Sequence, residues 1–337
     1  MGLFMGARGA MNNHGIATNG HTGEQTIGRP VRIVSIGFAP KTQEFDRIIR
    51  LVEQEAAQRP DIIILPETWR SQNNKPETLE GQIVTTLSEV ARRYNTYIIC
   101  PFDRQAGSLR FNTAVLLDRQ GRFAAIYDKV YPYWSEYDLE PPVNIGVQVP
   151  VAQTDFGCVG MAICFDVNFP EVWQRLADQG AEVVLWPSAY SAGRSLQAHA
   201  INHHFYIVTA TYMPDCAVYD INGDEIFYEK GEEINVSHVT IDLDRGIYHE
   251  NFNVDKLKKL LAERGDDVEV EQWLEREQWF VLKAKRPGVS ARGLARHYGL
   301  EELRSYLSRS RREIDIMRGE GLTSGEAACA EPVASIR

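Results

Sequence analysis

From Val31 onward, short β-branched runs alternate with stretches whose apolar residues recur every three or four positions. "VRIVSIGF" reads as a strand, and Thr42 to Gln58 carries apolar residues at 45, 48, 49, 52 and 56, one face of a helix. "DIIILPE" is an apolar run that stops at Pro66, and residues 78 to 94 align Leu79, Ile83, Leu87, Val90, Ala91 and Tyr94 on one helical face. "TYIIC" follows as a strand, then "FNTAVLLD" and "FAAIYD" flank "RQGR" as a hairpin. "VGMAIC", "EVVLWPS" and "YIVTAT" predict three more strands, separated by helices over Glu171 to Gln179 and Ser195 to His204. "CAVYDINGDEIFYE" predicts a second hairpin about Asn222-Gly223, and "VSHVTIDLD" another strand. Alternation of this kind predicts an α/β layered fold in which helices cover sheets.

Past this region the pattern changes. Residues 250 to 320 read as helical and charged, interspersed with Trp273, Trp279 and Phe280. Four segments result: a disordered tail over 1–28, a principal domain over 29–248, a helical C-terminal extension over 249–318 and a disordered tail over 319–337. The first tail is rich in Gly, Asn, Thr and His without the long apolar core of a signal peptide. It opens "MGLFMG", but Gly6 stands where N-myristoylation wants Ser or Thr.

Composition narrows the function classes. The chain has 337 residues, 44% hydrophobic and 24% charged, enough to bury a core without disulfides or metal. A formal net charge of −10 argues against a broad nucleic-acid surface. The five cysteines (Cys100, Cys158, Cys164, Cys216, Cys329) are odd in number and show no close-paired spacing, which fits a reduced, cytoplasmic setting better than a disulfide framework or zinc ribbon. No apolar run approaches the roughly 18 residues that span a membrane.

Three strand ends present reactive groups: Glu67 in "IIILPETWR", Lys129 in "AAIYDKVYPYWSE" and Cys164 in "GMAICFDVNFPE". Sites in α/β sheets collect at strand ends. A thiol needs a base or a cation nearby to become a nucleophile. A carboxylate can take the proton and return it to a leaving amine, and an ammonium can favour an oxyanion, so the three together suit acyl transfer. Taken singly, each has an ordinary reading as a small buried hydrophobe, a residue near a helix start and a solvated surface charge.

"LPETW", "YDKVYPYWSE" and "GMAICFDVNFPE", in this order and at these separations, resemble the nitrilase superfamily of carbon–nitrogen hydrolases. The resemblance covers about Val31 to Asp242. It implies a four-layer α-β-β-α sandwich, with Glu67 as general base and acid, Lys129 as oxyanion stabiliser and Cys164 as nucleophile. It implies a second glutamate soon after the lysine, for which Glu136 matches best in spacing and Glu140 less well. It implies no cofactor, a small-molecule substrate and a homodimer or higher homo-oligomer, which the aromatic extension could clasp. Phe165-Asp166 stands where nitrile-cleaving members typically carry Trp-Glu, so an amide or N-carbamoyl substrate is expected, with nitrile hydrolysis as the alternative. Val167 and Asn168 occupy places where amino-acid carbamoylases often carry arginines. Trp69, Tyr133, Trp134, Phe165, Asn168, Trp186 and Ser188 flank the motifs and are the expected pocket residues.

Two further signals have ordinary explanations. His199 and His203 in "HAINHH" have a metal-compatible spacing, but no glutamate between them and no third ligand in sequence, so no metal is expected. Residues 281 to 320 hold ten Lys or Arg against five Asp or Glu, vaguely resembling a helix-turn-helix; a nucleic-acid role there is the alternative from another functional class.

Overall fold

A computed structural model describes residues 26–39, 44–69 and 75–319. The expected tails, over 1–28 and 319–337, therefore lie almost wholly outside the described residues.

Two six-stranded sheets make the body. The first contains β1 (Pro30–Phe38), β2 (Ile62–Ile64), β3 (Tyr97–Ala106), β4 (Leu109–Leu117) and β5 (Phe123–Asp128) side by side, with β12 (Ile234–Asp242) returning to the free edge of β1. The second contains β6 (Val151–Gln153), β7 (Cys158–Met161), β8 (Val183–Ser188), β9 (Tyr206–Thr211), β10 (Asp215–Tyr219) and β11 (Glu225–Lys230) in sequence order. The central strands β1–β2–β3 and β7–β8–β9 run parallel, and the hairpins that extend them are antiparallel. Parallel strands buried on both faces read as continuous apolar runs, which is how "IIIL" and "VVLW" appear.

Helices α1 (Phe45–Ala56) and α2 (Gln82–Tyr94) cover the first sheet. They turn Ile48, Val52 and Ala56, and Ile83, Leu87, Val90 and Ala91, onto Ile63, Ile98 and Val115. Asn95 ends α2 in the left-handed region and donates its N–H to the Ala91 carbonyl, the usual way to stop a helix before a strand. Helices α3 (Pro170–Asp178) and α4 (Arg194–His203) cover the second sheet through Val172, Trp173, Leu176, Leu196 and Ala200. Between the sheets, Ile62, Ile64, Ile99 and Leu116 meet Val159, Met161 and Leu185 in one continuous core. This is the four-layer sandwich that the resemblance implies. Burying each such aliphatic side chain contributes about 1.5–3 kcal/mol.

The extension has the expected helical segments, α5 (Val254–Arg264), α6 (Ala291–His297) and α7 (Leu303–Met317). It also holds a three-stranded antiparallel sheet of β13 (Gly246–His249), β15 (Trp279–Ala284) and β14 (Val268–Leu274), which a purely helical reading leaves out. "VEVEQWL" and "WFVLKA" supply the strand pattern, which their charged residues disguise. Phe280 is fully buried between Tyr248 and Trp273, with centroids 5.5 and 5.3 Å away. Trp279 packs edge-on to His204 at 4.9 Å. Only Trp273 remains substantially exposed, at 43%, so the aromatic residues expected to clasp a partner are largely spent inside the chain. The extension is fastened to the body by polar contacts as well. Glu182, at the foot of β8, receives both Arg29 and Arg292, and Arg245 ties Asp220 to Glu271.

Candidate active site

Four strand ends converge at one edge of the sandwich. The turn after β2 delivers Glu67, the residue after β5 is Lys129, the turn after β7 holds Cys164, and β8 ends at Ser188 with Ala189 next. Two ends belong to each sheet, so the site straddles the layer between them.

Lys129 is 1% exposed and bonds two carboxylates, Glu67 Oε1 at 2.8 Å and Glu136 Oε2 at 2.6 Å. Burial opposes its charge, but Glu67, Cys164 and Glu136 outweigh that and hold the ammonium above its ordinary range. Glu136 also accepts the Tyr133 N–H at 2.6 Å, which fixes the short turn over Trp134–Asp138. Glu140 is exposed on the same loop; of the two candidates, Glu136 is the one bound to the lysine.

Cys164 has φ +45°, a conformation uncommon for a non-glycine residue. Three donors to the buried Asp166 carboxylate set the turn: Tyr127 Oη at 2.6 Å, and the Ile163 and Tyr131 N–H groups, each at 2.9 Å. Burial raises the Asp166 pKa to about 6 despite these bonds. The Trp186 indole donates to the Cys164 carbonyl at 3.3 Å and Trp173 to the Asp166 carbonyl at 3.0 Å, bracing the turn from within. The Ser188 hydroxyl and the Ala189 N–H lie beside the sulfur and favour its ionised form. Burial pushes the thiol well above its usual pKa and the Glu67 charge adds to this; Lys129 and these two groups oppose it. At rest, then, the group is a thiol beside an ion pair rather than a preformed thiolate.

Ala189 N–H also donates to Glu67 Oε2 at 3.0 Å. One peptide N–H thus faces both the sulfur and the carboxylate, placing the proton donor beside its acceptor. The opposite oxygen of Glu67 is occupied by Lys129 and by Asn112 Nδ2, the latter at 2.7 Å. Asn112 also donates to Glu136 Oε1 at 2.7 Å, while its own Oδ1 is buried without a partner among the described residues. Leaving such an acceptor unpaired costs roughly 1–3 kcal/mol.

The other expected residues divide into three groups. Tyr133 and Trp134 are exposed beside the turn, with Tyr133 edge-on to Phe165 at 5.2 Å. Phe165 contacts Phe169, which stacks on Tyr131 at 3.7 Å, so aromatic rings line one side of the mouth. Asn168 is exposed, with Nδ2 donating to the Phe165 carbonyl at 3.1 Å. Ser188 and Trp186 lie beneath the turn rather than at its rim. Trp69 is not at the site. Thr68 turns the chain with φ +33°, and Trp69 goes to the outer face, stacked on Phe45 at 5.9 Å and buried under α1. His199 spends Nε2 on the Val167 carbonyl at 2.8 Å and stacks on Trp173 at 4.3 Å. Among the described residues, no three ligating side chains gather as a metal site.

Asn112 and Ala189 have no part in the sequence reading, and Asp166 enters it only through the Phe165-Asp166 pair. Asn112 sits in a strand where the polar pair in "FNTAVLL" is the one available signal. A backbone donor such as Ala189 leaves no mark in sequence.

The chain matches the carbon–nitrogen hydrolase family model over residues 32–247. It is similar to a deaminated glutathione amidase of Synechocystis sp., 32% identical over 192 residues, covering 49% of this chain and 69% of that protein. It is also similar to omega-amidase NIT2 of Danio rerio (23%, covering 60% and 84%) and to a nitrilase of Pyrococcus abyssi (27%, covering 53% and 74%). Solved structures sharing the fold include an amidase from Nesterenkonia sp. (TM-score 0.54, 20% identity, 64% of this chain and 91% of that one) and Nit3 of Saccharomyces cerevisiae (TM-score 0.53, 17% identity, 63% and 91%). The family match spans all four strand ends that meet around Cys164: the chain belongs to the carbon–nitrogen hydrolase family, within the nitrilase superfamily, and is a carbon–nitrogen hydrolase.

Proposed function

We propose that the enzyme hydrolyses an uncharged linear amide or N-carbamoyl compound through a thioester on Cys164. The observation that carries this is the buried Lys129–Glu67 ion pair, whose charges both act on the Cys164 thiol, with the Ala189 N–H holding Glu67 Oε2. Glu67 takes the thiol proton as sulfur bonds to the carbonyl carbon. The resulting oxyanion is stabilised by Lys129 and by the Phe165 N–H, the first donor after the nucleophile. The C–N bond breaks as Glu67 hands its proton to the departing nitrogen, releasing ammonia or an amine. Glu67 then deprotonates water, which attacks the thioester and frees the thiol with a carboxylic acid from an amide, or carbamic acid, which falls to carbon dioxide and ammonia, from an N-carbamoyl compound. Glu136 keeps the lysine in place throughout.

The aromatic mouth and the absence of a cation at Val167 and Asn168 support an acyl group without a carboxylate. The amidase names among the relatives favour amides, and the relative named nitrilase motivates the second reading, a nitrile substrate. The nucleic-acid alternative loses force because three of its arginines are engaged internally: Arg292 with Glu182 and Glu302, Arg304 with the Ala181 carbonyl, and Arg309 with Glu301.

The test is a panel of matched amides, N-carbamoyl compounds and nitriles, following ammonia release and the mass of trapped enzyme. Release from amides or carbamoyl compounds, with an acyl adduct on Cys164, is expected. Faster nitrile turnover transfers the assignment to the second reading, and turnover retained by Cys164→Ala removes the covalent mechanism.

A further inference from the structure

We infer that Asn112 is a positioning residue that makes Glu67 a one-sided base. The inference rests on the proposed role of Glu67. Asn112 stands on β4, where its carbonyl accepts the Lys129 N–H at 2.8 Å, fixing its height relative to the lysine. Its amide sends one hydrogen to Glu67 Oε1 and the other to Glu136 Oε1, each at 2.7 Å. The amide can only face this way, because a flip would set Oδ1 against two carboxylate oxygens. The consequence is the unpartnered, buried Oδ1. A side chain chosen for packing alone would leave no such orphan, and buried unpaired acceptors of this kind ask for an explanation.

The donors divide Glu67 unequally. Among the described residues, Oε1 receives Lys129 and Asn112, whereas Oε2 receives only the Ala189 N–H, the same group that lies beside the sulfur. Two donors on Oε1 hold the carboxylate plane and withdraw charge from that oxygen, so the proton is carried on Oε2, where the thiol, the leaving nitrogen and the attacking water are each met. Asn112 also supplies a neutral bridge between two carboxylates that share a single ammonium. It can do so because an amide presents two donors and no charge. Lysine or arginine in its place would alter the charge balance, and serine would serve only one of the two.

Replacements at 112 separate this role from packing. At pH 8, kcat/KM should fall in the order Asn, Ser, Leu, Asp, following the number of hydrogens offered (two, one, none, and none with an added charge). A packing role would put Leu, which has the same four side-chain heavy atoms branched at Cγ, above Ser. Asn112→Leu should lose about 10- to 100-fold in kcat with KM little changed, since proton transfer by a positioned group is worth about 10²–10⁴. The acid limb of its kcat/KM profile should move to higher pH, because the ionised form of the base has lost a donor. Circular dichroism and iodoacetamide titration of Cys164 would show that each variant is folded. A folded Asn112→Leu, or a folded Asn112→Ser if the first does not fold, with the wild-type pH profile and kcat/KM overturns the inference. Turnover in Cys164→Ala would instead overturn the thioester reading itself, so the two failures are distinguishable.

Discussion

Replacing Lys129 with methionine keeps most of the side-chain volume and removes the charge. It leaves the buried Glu67 and the partly buried Glu136 joined by Asn112, with no cation between them. Breaking a buried pair by removing one partner costs about 3–5 kcal/mol, because the remaining charge stays desolvated. Here two carboxylates are stranded, so the upper part of that range is expected near pH 8. The sign of the pH dependence follows. The stranded carboxylates of the folded variant hold protons more tightly than those of the unfolded chain, so its stability is greatest in acid and falls as pH rises through the carboxylate range. The gap to wild type therefore widens from pH 5 to pH 8. Adding Glu136→Gln removes one stranded charge and should restore about 0.5–3 kcal/mol, the usual size of coupling between touching groups. Urea unfolding followed by tryptophan fluorescence at both pH values measures all of this. The lost cation also removes one influence that lowers the Cys164 pKa, so iodoacetamide should label the variant more slowly at pH 8. A variant with the wild-type urea midpoint at both pH values would refute the reasoning.

Cys164→Ala should abolish turnover while the circular dichroism spectrum is retained, since nucleophile and base act as one unit; measurable hydrolysis in clean protein contradicts it. Glu67→Gln should block amine release and leave any preformed acyl-enzyme long-lived, as read by intact mass over time; normal deacylation would point to another water-activating base, Glu136 first. Asp166, with a pKa raised by burial to about 6 against an ordinary 3.8, contributes stability that is fully present below about pH 4 and lost as pH rises through 6. That difference corresponds to about 3 kcal/mol, so Asp166→Asn should flatten this part of the stability curve, and parallel urea-midpoint profiles would exclude it. We also propose a homo-oligomer, supported by Leu307, Ile314 and Met317 exposed at heptad-like spacing along α7; light scattering at the monomer mass of 38.1 kDa at micromolar concentration would refute it.

The sandwich was legible because its parallel strands are apolar throughout and its helices carry apolar residues on one face, the two patterns that burial on both sides and on one side produce. The β14–β15 hairpin was not, because Glu269, Glu271 and Lys283 interrupt its apolar run and its aromatic residues read equally well as a helix. At the site, Glu67, Lys129 and Cys164 sit in distinctive strand-end motifs, and the short separation of Glu136 from Lys129 allowed its choice over Glu140. Trp69 failed for a local reason: proximity in sequence to Glu67 says nothing about direction once the backbone enters a positive φ at Thr68. Asn112 and Ala189 act through donors brought from strands far away in the chain, and no local pattern encodes that.

Because each sheet contributes half of the reacting groups, the gap between the two sheets sets the distance across which the thiol proton must travel. The spacer is the interior layer itself, with Ile64 and Met161 among its members. A methyl group trimmed there, far from any substrate, would let the halves settle, and a misplacement of about 1 Å can cost about 100-fold in rate. The catalytic rate is in this sense a caliper closed on the hydrophobic core. Variants that conserve every polar residue should still spread over a wide range of activity, ordered by interior volume.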